Sequence, residues 1–475
     1  MHQSSQSFKQ NAHAALRDAT LQRALHNVKV GFIDKRRIAA EKLPEFERLR
    51  DEARDIKDHA LANLDFYLER FEQQVLAQGG HVHWCETAEE ARNTVLAICR
   101  SVGAKTVTKG KSMVTEEIGL NAFLEANGMI PVETDLGEYI IQLRNEPPSH
   151  IIAPAIHVVQ EQISDAFYEH HKQFPPDRPL AEPRQLLDEA RAVLRERFLA
   201  ADVGITGANF LIAETGSTVI VTNEGNGDLT QTLPKIHIVV VGVEKVVPTL
   251  EDATTLLRVL ARSATGQEFS AYTTFSTGPR RPGDPDGPEQ FHVVLVDNGR
   301  LDMLASQFRE ALRCIRCGAC MNHCPVYAAV GGHAYGWVYP GPIGSIWTPA
   351  LTGIENARHL PNASTFCGRC ESVCPVRIPL PKLLRNWRNV EFERRLAPAA
   401  ARYGLAGWAF FARRPRLYRV AAGIGNRVLR LLAGRRGRLS RLPFAGGWTS
   451  VRDMPAPEGG TFHSQWARRS REGRK

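Results

Sequence analysis

The chain has no run of the 18 or so uninterrupted apolar residues that a membrane-spanning helix requires, which excludes a protein built on such helices. Its first 25 residues, MHQSSQSFKQNAHAALRDATLQRAL, hold neither an apolar core nor a small-residue cleavage site. They predict a cytoplasmic protein rather than an exported one. No G-x-G-x-x-G follows a strand pattern, and G-x-x-x-x-G-K-[ST] and G-x-S-x-G are missing, so the usual signatures of dinucleotide, triphosphate and hydrolase sites are absent. Cysteine is sparse over most of the chain, with only Cys85 and Cys99 before residue 314. Acidic residues become scarce at the other end: from Glu391 to Lys475 there are 5 Asp plus Glu against 19 Lys plus Arg. That segment carries +14 of a total of +9, which leaves residues 1–390 at −5. Such asymmetry suits an anionic membrane surface, an acidic partner or nucleic acid, and charge alone does not choose among them.

What is present is ordinary for a globular protein. Hydrophobic residues make up 43% and charged residues 23% of 475, which excludes a disordered or fibrous chain and leaves room for two to four domains. Residues 1–62 read as a helical N-terminal segment, because apolar positions recur every three or four residues among many charges. From 63 to 300, helical stretches alternate with short apolar runs (HVHWCET, KTVTKG, PVETD, HIIAPA), which predicts a mainly parallel, helix-covered α/β sheet. Close-set strands follow at ANFLIAET, STVIVTNEG, KIHIVVVGV and QFHVVLVDNG. TGPRRPGDPDGPEQ (277–290) is too rich in Pro, Gly and Asp for regular structure and should be a loop. Beyond residue 300 the strands stop. Residues 301–390 form a mainly helical, cysteine-bearing region, and 391–475 a basic helical region of two amphipathic helices whose last 30 residues are expected to be disordered.

The remaining seven cysteines carry the chemistry. Cys314-x2-Cys317-x2-Cys320-x3-Cys324-Pro325 is the bacterial ferredoxin spacing for a [4Fe-4S] cluster, in which the fourth cysteine ligates the other cluster of a pair. Its counterpart is Cys367-x2-Cys370-x3-Cys374-Pro375. Crossed ligation gives Cys314, Cys317, Cys320 and Cys374 to a first cluster and Cys324, Cys367 and Cys370 to a second. The second is one thiolate short. Ser364 stands where the missing cysteine would be, so Ser364, a water or an open corner, as in a [3Fe-4S] centre, completes it. Zinc also accepts four thiolates, but a single ion has no need of seven convergent thiols. Cys85 and Cys99 read as core residues, and the alternating His81, His83 and Cys85 as sheet positions more than a ligand ledge. Gly225 and Gly227 read as turn glycines. Two clusters without a flavin or nicotinamide site suit single-electron transfer.

The blocks KRRIAAEKLPEFERLRDEARDIKDHAL, VTKGKSMVTEEIGLN, GITGANFLIAETGSTVIVTNEGNGDL, KIHIVVVGVEKVVPTLED, CIRCGACMNHCPVY and CGRCESVCPVRIPL resemble, in this order, the iron–sulfur B-subunit family of the bacterial lactate-utilisation system. The resemblance runs from about residue 20 to 400, and the tail beyond departs most from the pattern. It implies an open α/β lactate-utilisation (LUD) domain similar to CoA transferases and ribose-5-phosphate isomerase, followed by the two-cluster region. It also implies seven clustered cysteines rather than eight, with the ligand sets given above. The implied role is electron transfer in oxidation of L-lactate to pyruvate, alongside other subunits and a respiratory acceptor; the resemblance carries no catalytic residue for the lactate chemistry onto this chain. The alternatives are the electron-transfer subunit of another 2-hydroxy acid or glycerol-phosphate dehydrogenase, and an iron–sulfur regulator binding nucleic acid through Arg413, Arg414, Arg416, Arg419, Arg427 and Arg430. The latter finds no helix-turn-helix or zinc-finger pattern to support it. Peripheral attachment to a membrane through the basic region fits delivery of electrons to quinone.

Overall fold

Val, Ile and Thr dominate the short apolar runs, and side chains branched at Cβ favour extended backbone. In the computed structural model, which describes residues 3–26, 28–110, 112–442, 446–450, 452–457 and 460–472, most of these runs are strands. They are β1 (His81–Cys85), β2 (Thr106–Gly110), β3 (Ile130–Glu133), β4 (Val203–Thr206), β5 (Phe210–Ile212), β6 (Ser217–Thr222), β7 (Ile236–Gly242), β8 (Val246–Val247), β9 (Tyr272–Ser276) and β10 (Gln290–Val296). Six of them form one sheet in the order β1-β10-β7-β4-β2-β3, parallel at every pairing. A smaller sheet, β8-β5-β6-β9, is antiparallel except between β5 and β8.

Strand β7 is buried along its whole length, as a central strand covered on both faces must be. Successive side chains go to opposite faces. Ile238 and Val240 join Val95, Cys99, Leu120 and Leu124 in one core, while Val239 and Val241 join Leu64, Leu68, Phe71 and Val75 in the other. The run HIIAPA is not a strand. Pro147 and Pro148 precede it, and the His150 ring accepts from the Ile152 and Ala153 amides at 3.1 and 3.2 Å, holding the backbone in bends. The helical N-terminal segment is no detached arm: Lys57, on the helix Phe46–Ala62, reaches under β8 and donates to the carbonyls of Glu244 (2.6 Å) and Val246 (3.5 Å).

The chain divides into two compact units, Met1–Val390 and Glu391–Lys475. The α/β sheets and the cysteine-bearing region thus share the first unit. Within the second, helices Ala399–Ala412 and Pro415–Ala433 precede a two-residue antiparallel pairing of β11 (Arg438–Leu439) with β12 (Met454–Pro455). Part of the tail expected to be disordered is instead the helix Phe462–Glu472. Thr461 Oγ1 caps the Ser464 amide at 3.4 Å, and the rings of Phe462 and Trp466, four residues apart, stack at 5.9 Å, a local pair that bulk composition conceals. Residues 451, 458–459 and 473–475 of that tail, and 443–445 before it, lie outside the described residues. Among the described residues no helix is long and apolar enough to cross a membrane.

Candidate metal centre

Seven cysteines ring two cavities. Cys314, Cys317, Cys320 and Cys374 line the first, and Cys324, Cys367 and Cys370 line the second together with Ser364. The loops that do this are fixed locally. Gly318 follows Cys317, the second cysteine of its run, and Gly368 follows Cys367, the first of its own, at φ of 73° and 79°, a left-handed conformation that glycine adopts without strain. Each starts a short helix, Ala319–Asn322 and Arg369–Val373, that carries Cys320 and Cys370 inward. Arg316 is also left-handed, at φ 60°, which is costly for a residue with a Cβ. Its amide then donates to Cys314 Sγ at 3.4 Å, and the Ile378 amide donates to Cys374 Sγ at 3.4 Å. Such N–H···S bonds stabilise thiolate ligands and tune the potential of a bound cluster.

Burial pushes the Cys317 and Cys370 thiols up to about 12 and Cys374 to about 11. In this setting a thiolate forms only when a metal displaces the proton. Cys367 is exposed, and it marks the side on which the second cavity meets solvent. Four soft thiols in one cavity and three with a hydroxyl in the other are donor sets that suit iron–sulfur clusters. Among the described residues no three Cys, His, Asp or Glu side chains are grouped so as to hold a single metal ion.

Charged residues that sequence reading did not single out surround the first cavity. Arg50 donates to the carbonyls of Ser372 (2.6 Å) and Cys374 (2.8 Å), and Arg36 to that of Val373 (3.0 Å). Lys245 Nζ lies 3.4 Å from the Cys314 carbonyl. Burial lowers the Lys57 ammonium to about 7 and that of Lys245 to about 8. The Arg316 guanidinium stacks 3.9 Å from the Trp347 ring centroid and 4.3 Å from that of Tyr339. Below it, Arg300 makes a two-pronged ion pair with Glu117 (2.9 and 2.8 Å) and donates through Nε to Glu244 (2.8 Å), all three being essentially inaccessible. Burial opposes ionisation of Glu244, yet Arg300, Lys245 and Arg316 together hold its carboxyl down at about 2. This network joins Glu117, Glu244 and Arg300 of the α/β region to Arg316 and Tyr339 of the cysteine region.

The isolated cysteines stand apart. Cys85 and Cys99 both belong to the core on the β7 face that holds Ile238 and Val240, with Cys85 Sγ 3.6 Å from Thr94 Oγ1. His83 pairs with His292 across β1 and β10 (3.1 Å) rather than with Cys85, and His81 stacks on the same ring at 4.8 Å. Gly225, at φ 72°, caps the helix Asn226–Thr232.

Three family models match successive parts of the chain: the LUD domain over residues 68–296, the 4Fe-4S dicluster domain over 310–378, and the C-terminal region of lactate utilisation protein B over 390–471. Lactate utilization protein B of Bacillus licheniformis is 43% identical over 471 residues, 98% of each chain. The chain belongs to the lactate utilization protein B family. The protein of the same name from Macrococcus caseolyticus is 43% identical over 474 residues, covering 99% of this chain and 98% of its own. The uncharacterized electron transport protein YkgF of Escherichia coli is 42% identical over 470 residues, 98% of each. The tail beyond residue 400, expected to depart most from the family pattern, stays within it, since the C-terminal family model continues to residue 471. Membership with the dicluster match makes this an iron–sulfur protein.

Replacing Glu117 by Gln keeps its shape but leaves Arg300 short of counter-charge in a place water does not reach. Breaking such a buried pair costs about 3–5 kcal/mol. We therefore expect a clear fall in thermal midpoint, while an exposed pair such as Arg37–Glu41, neutralised in the same way, shifts it by little.

Proposed function

We propose that this chain is the iron–sulfur electron-transfer subunit of a complex that oxidises L-lactate to pyruvate and passes the electrons to a respiratory acceptor. One observation carries the reading: in a member of this family, two cavities divide the seven cysteines as crossed ligation requires. Cys314, Cys317, Cys320 and Cys374 would hold the first cluster. Cys324, Cys367 and Cys370 would hold the second, with Ser364, on the same cavity wall, as a candidate fourth ligand. Clusters bound there supply one-electron steps. The chain's own residues set where those steps occur: Arg36, Arg50, Lys57, Lys245 and Arg316 place positive charge beside the first set, and Cys367 brings the second to the surface.

The parallel sheet covered on both faces agrees with an open α/β fold of the CoA-transferase and ribose-5-phosphate isomerase kind. Other subunits of the lactate-utilisation system are the expected partners. The basic Glu391–Lys475 unit, with its Arg-rich helices, suits docking on an anionic membrane face or an acidic partner.

In anaerobically purified protein, Cys317→Ser and Cys374→Ser should bleach one and the same EPR signal and Cys324→Ser the other, while Cys85→Ala leaves the iron content unchanged. Different signals lost from Cys317→Ser and Cys374→Ser would break the crossed assignment. Ser364→Ala should alter the second signal if the hydroxyl is a ligand. Deletion of the chain should abolish growth on L-lactate and spare growth on pyruvate; unchanged growth on L-lactate would remove the lactate assignment.

A further inference from the structure

A third cavity, of about 140 Å³, lies at the carboxyl ends of the parallel strands, bordered by Val240 and Val241 of β7 and by Ser112 and Gly207, which follow β2 and β4. Open α/β sheets bind ligands in this crevice. Its described lining contains two ionisable side chains, Lys245 and Arg316, both cationic, and no carboxylate. Asn209 and Thr222 add neutral polar groups, and Leu260 and Ala261 an apolar floor. Nη1 and Nη2 of Arg316 are buried without a hydrogen-bond partner, the nearest approach of a carboxylate being Glu244 Oε1 at 3.7 Å. A buried guanidinium left in that state is costly, and an anion relieves it.

Size narrows the class. A cavity of about 150 Å³ accepts benzene, a ligand of about six non-hydrogen atoms, so a small acid fits this one. Ile151 and Arg316 line both this cavity and the one ringed by Cys314, Cys317, Cys320 and Cys374, so the two share a wall.

We propose that this cavity is a binding site for a small 2-hydroxy or 2-oxo monocarboxylate, anchored by Lys245 and Arg316 and separated from the first cluster by the Arg316–Ile151 wall. The inference deepens the lactate reading and rests on it for the choice of acid. The carboxylate and the cluster draw on the same guanidinium. Binding therefore makes the first cluster harder to reduce, and by reciprocity reduction weakens binding by the same factor. A tenfold difference in affinity corresponds to a potential shift of about 59 mV for one electron.

The test is calorimetric titration of the cluster-loaded full chain with L-lactate, pyruvate and inorganic phosphate, with an EPR-monitored redox titration with and without pyruvate. We expect saturable binding of L-lactate or pyruvate, weaker binding of phosphate, and a lowered potential of the signal assigned to the Cys317 and Cys374 cluster alone. Lys245→Met should weaken binding roughly tenfold or more, the worth of a charge-assisted hydrogen bond, and Ala261→Phe, with iron content unchanged, should abolish it by filling the floor. Absence of saturable binding, indifference to both substitutions, or phosphate binding as tightly as the carboxylates would overturn the proposal. Because the phosphate comparison and the redox shift use the unaltered chain, they decide the matter even where a variant fails to fold. Loss of this site with lactate-dependent growth intact leaves the electron-transfer reading standing; growth that never needed the chain removes that reading while binding here is still measured.

Discussion

Charge balance in a place without water governs the centre of this molecule. Arg36, Arg50, Lys57, Lys245, Arg300 and Arg316 are all buried around or beneath the loop that carries Cys314 and Cys317. Glu117 and Glu244 are the acids buried with them in the Arg300 network, and Arg300 engages both. Arg50 also pairs with Glu47 (2.8 Å), whose side chain reaches solvent. Moving one unpaired charge out of water costs several kcal/mol even after relaxation, so Arg36, Lys57 and Lys245 favour a further anion beside them. Burial lowers the Lys57 and Lys245 ammonium groups to about 7 and 8, so a further anion beside them favours their charged forms. In the proposed assignment the first cluster, with four thiolates, is that anion, and the cations in turn stabilise its more negative, reduced state.

The same constraint explains why the sheets and the cysteine region form one unit. Glu244 follows β7, Glu117 ends the short helix after β2, and the helix Phe46–Ala62 delivers Arg50 and Lys57 from the opposite end of the sequence. Each contributes to a network that only the assembled fold completes. The first thiol cavity is thereby held against the α/β layer, whereas the second reaches the surface at Cys367. That asymmetry suits a path with one end toward the α/β cavity and the other toward a partner.

Much of this was legible in the sequence. Cysteine spacing announced both thiol sets, since a ligand pattern set by two- and three-residue gaps is local, and β-branched runs such as IHIVVVG announced the central strand. Long-range pairing was less visible. Arg50 and Lys57 sit on the helix face that also carries Phe46, Leu49 and Ala53, and a charge placed on an apolar stripe was the available signal. Nothing in the spacing of Glu117, Glu244 and Arg300 says that they meet. HIIAPA looked like a strand because its composition is apolar, and the prolines before it and the ring of His150 decided otherwise. The helix at Phe462–Glu472 was missed because a two-ring contact weighs little in an average over 30 residues.

The account stands or falls on whether the buried cations serve the first thiol set in particular. An EPR-monitored redox titration of Arg50→Gln, which keeps a donor for the Cys374 carbonyl but removes the charge, measures this most directly. The signal lost in Cys374→Ser should move to lower potential while the other stays in place. Equal movement of both signals, or of neither, would contradict it.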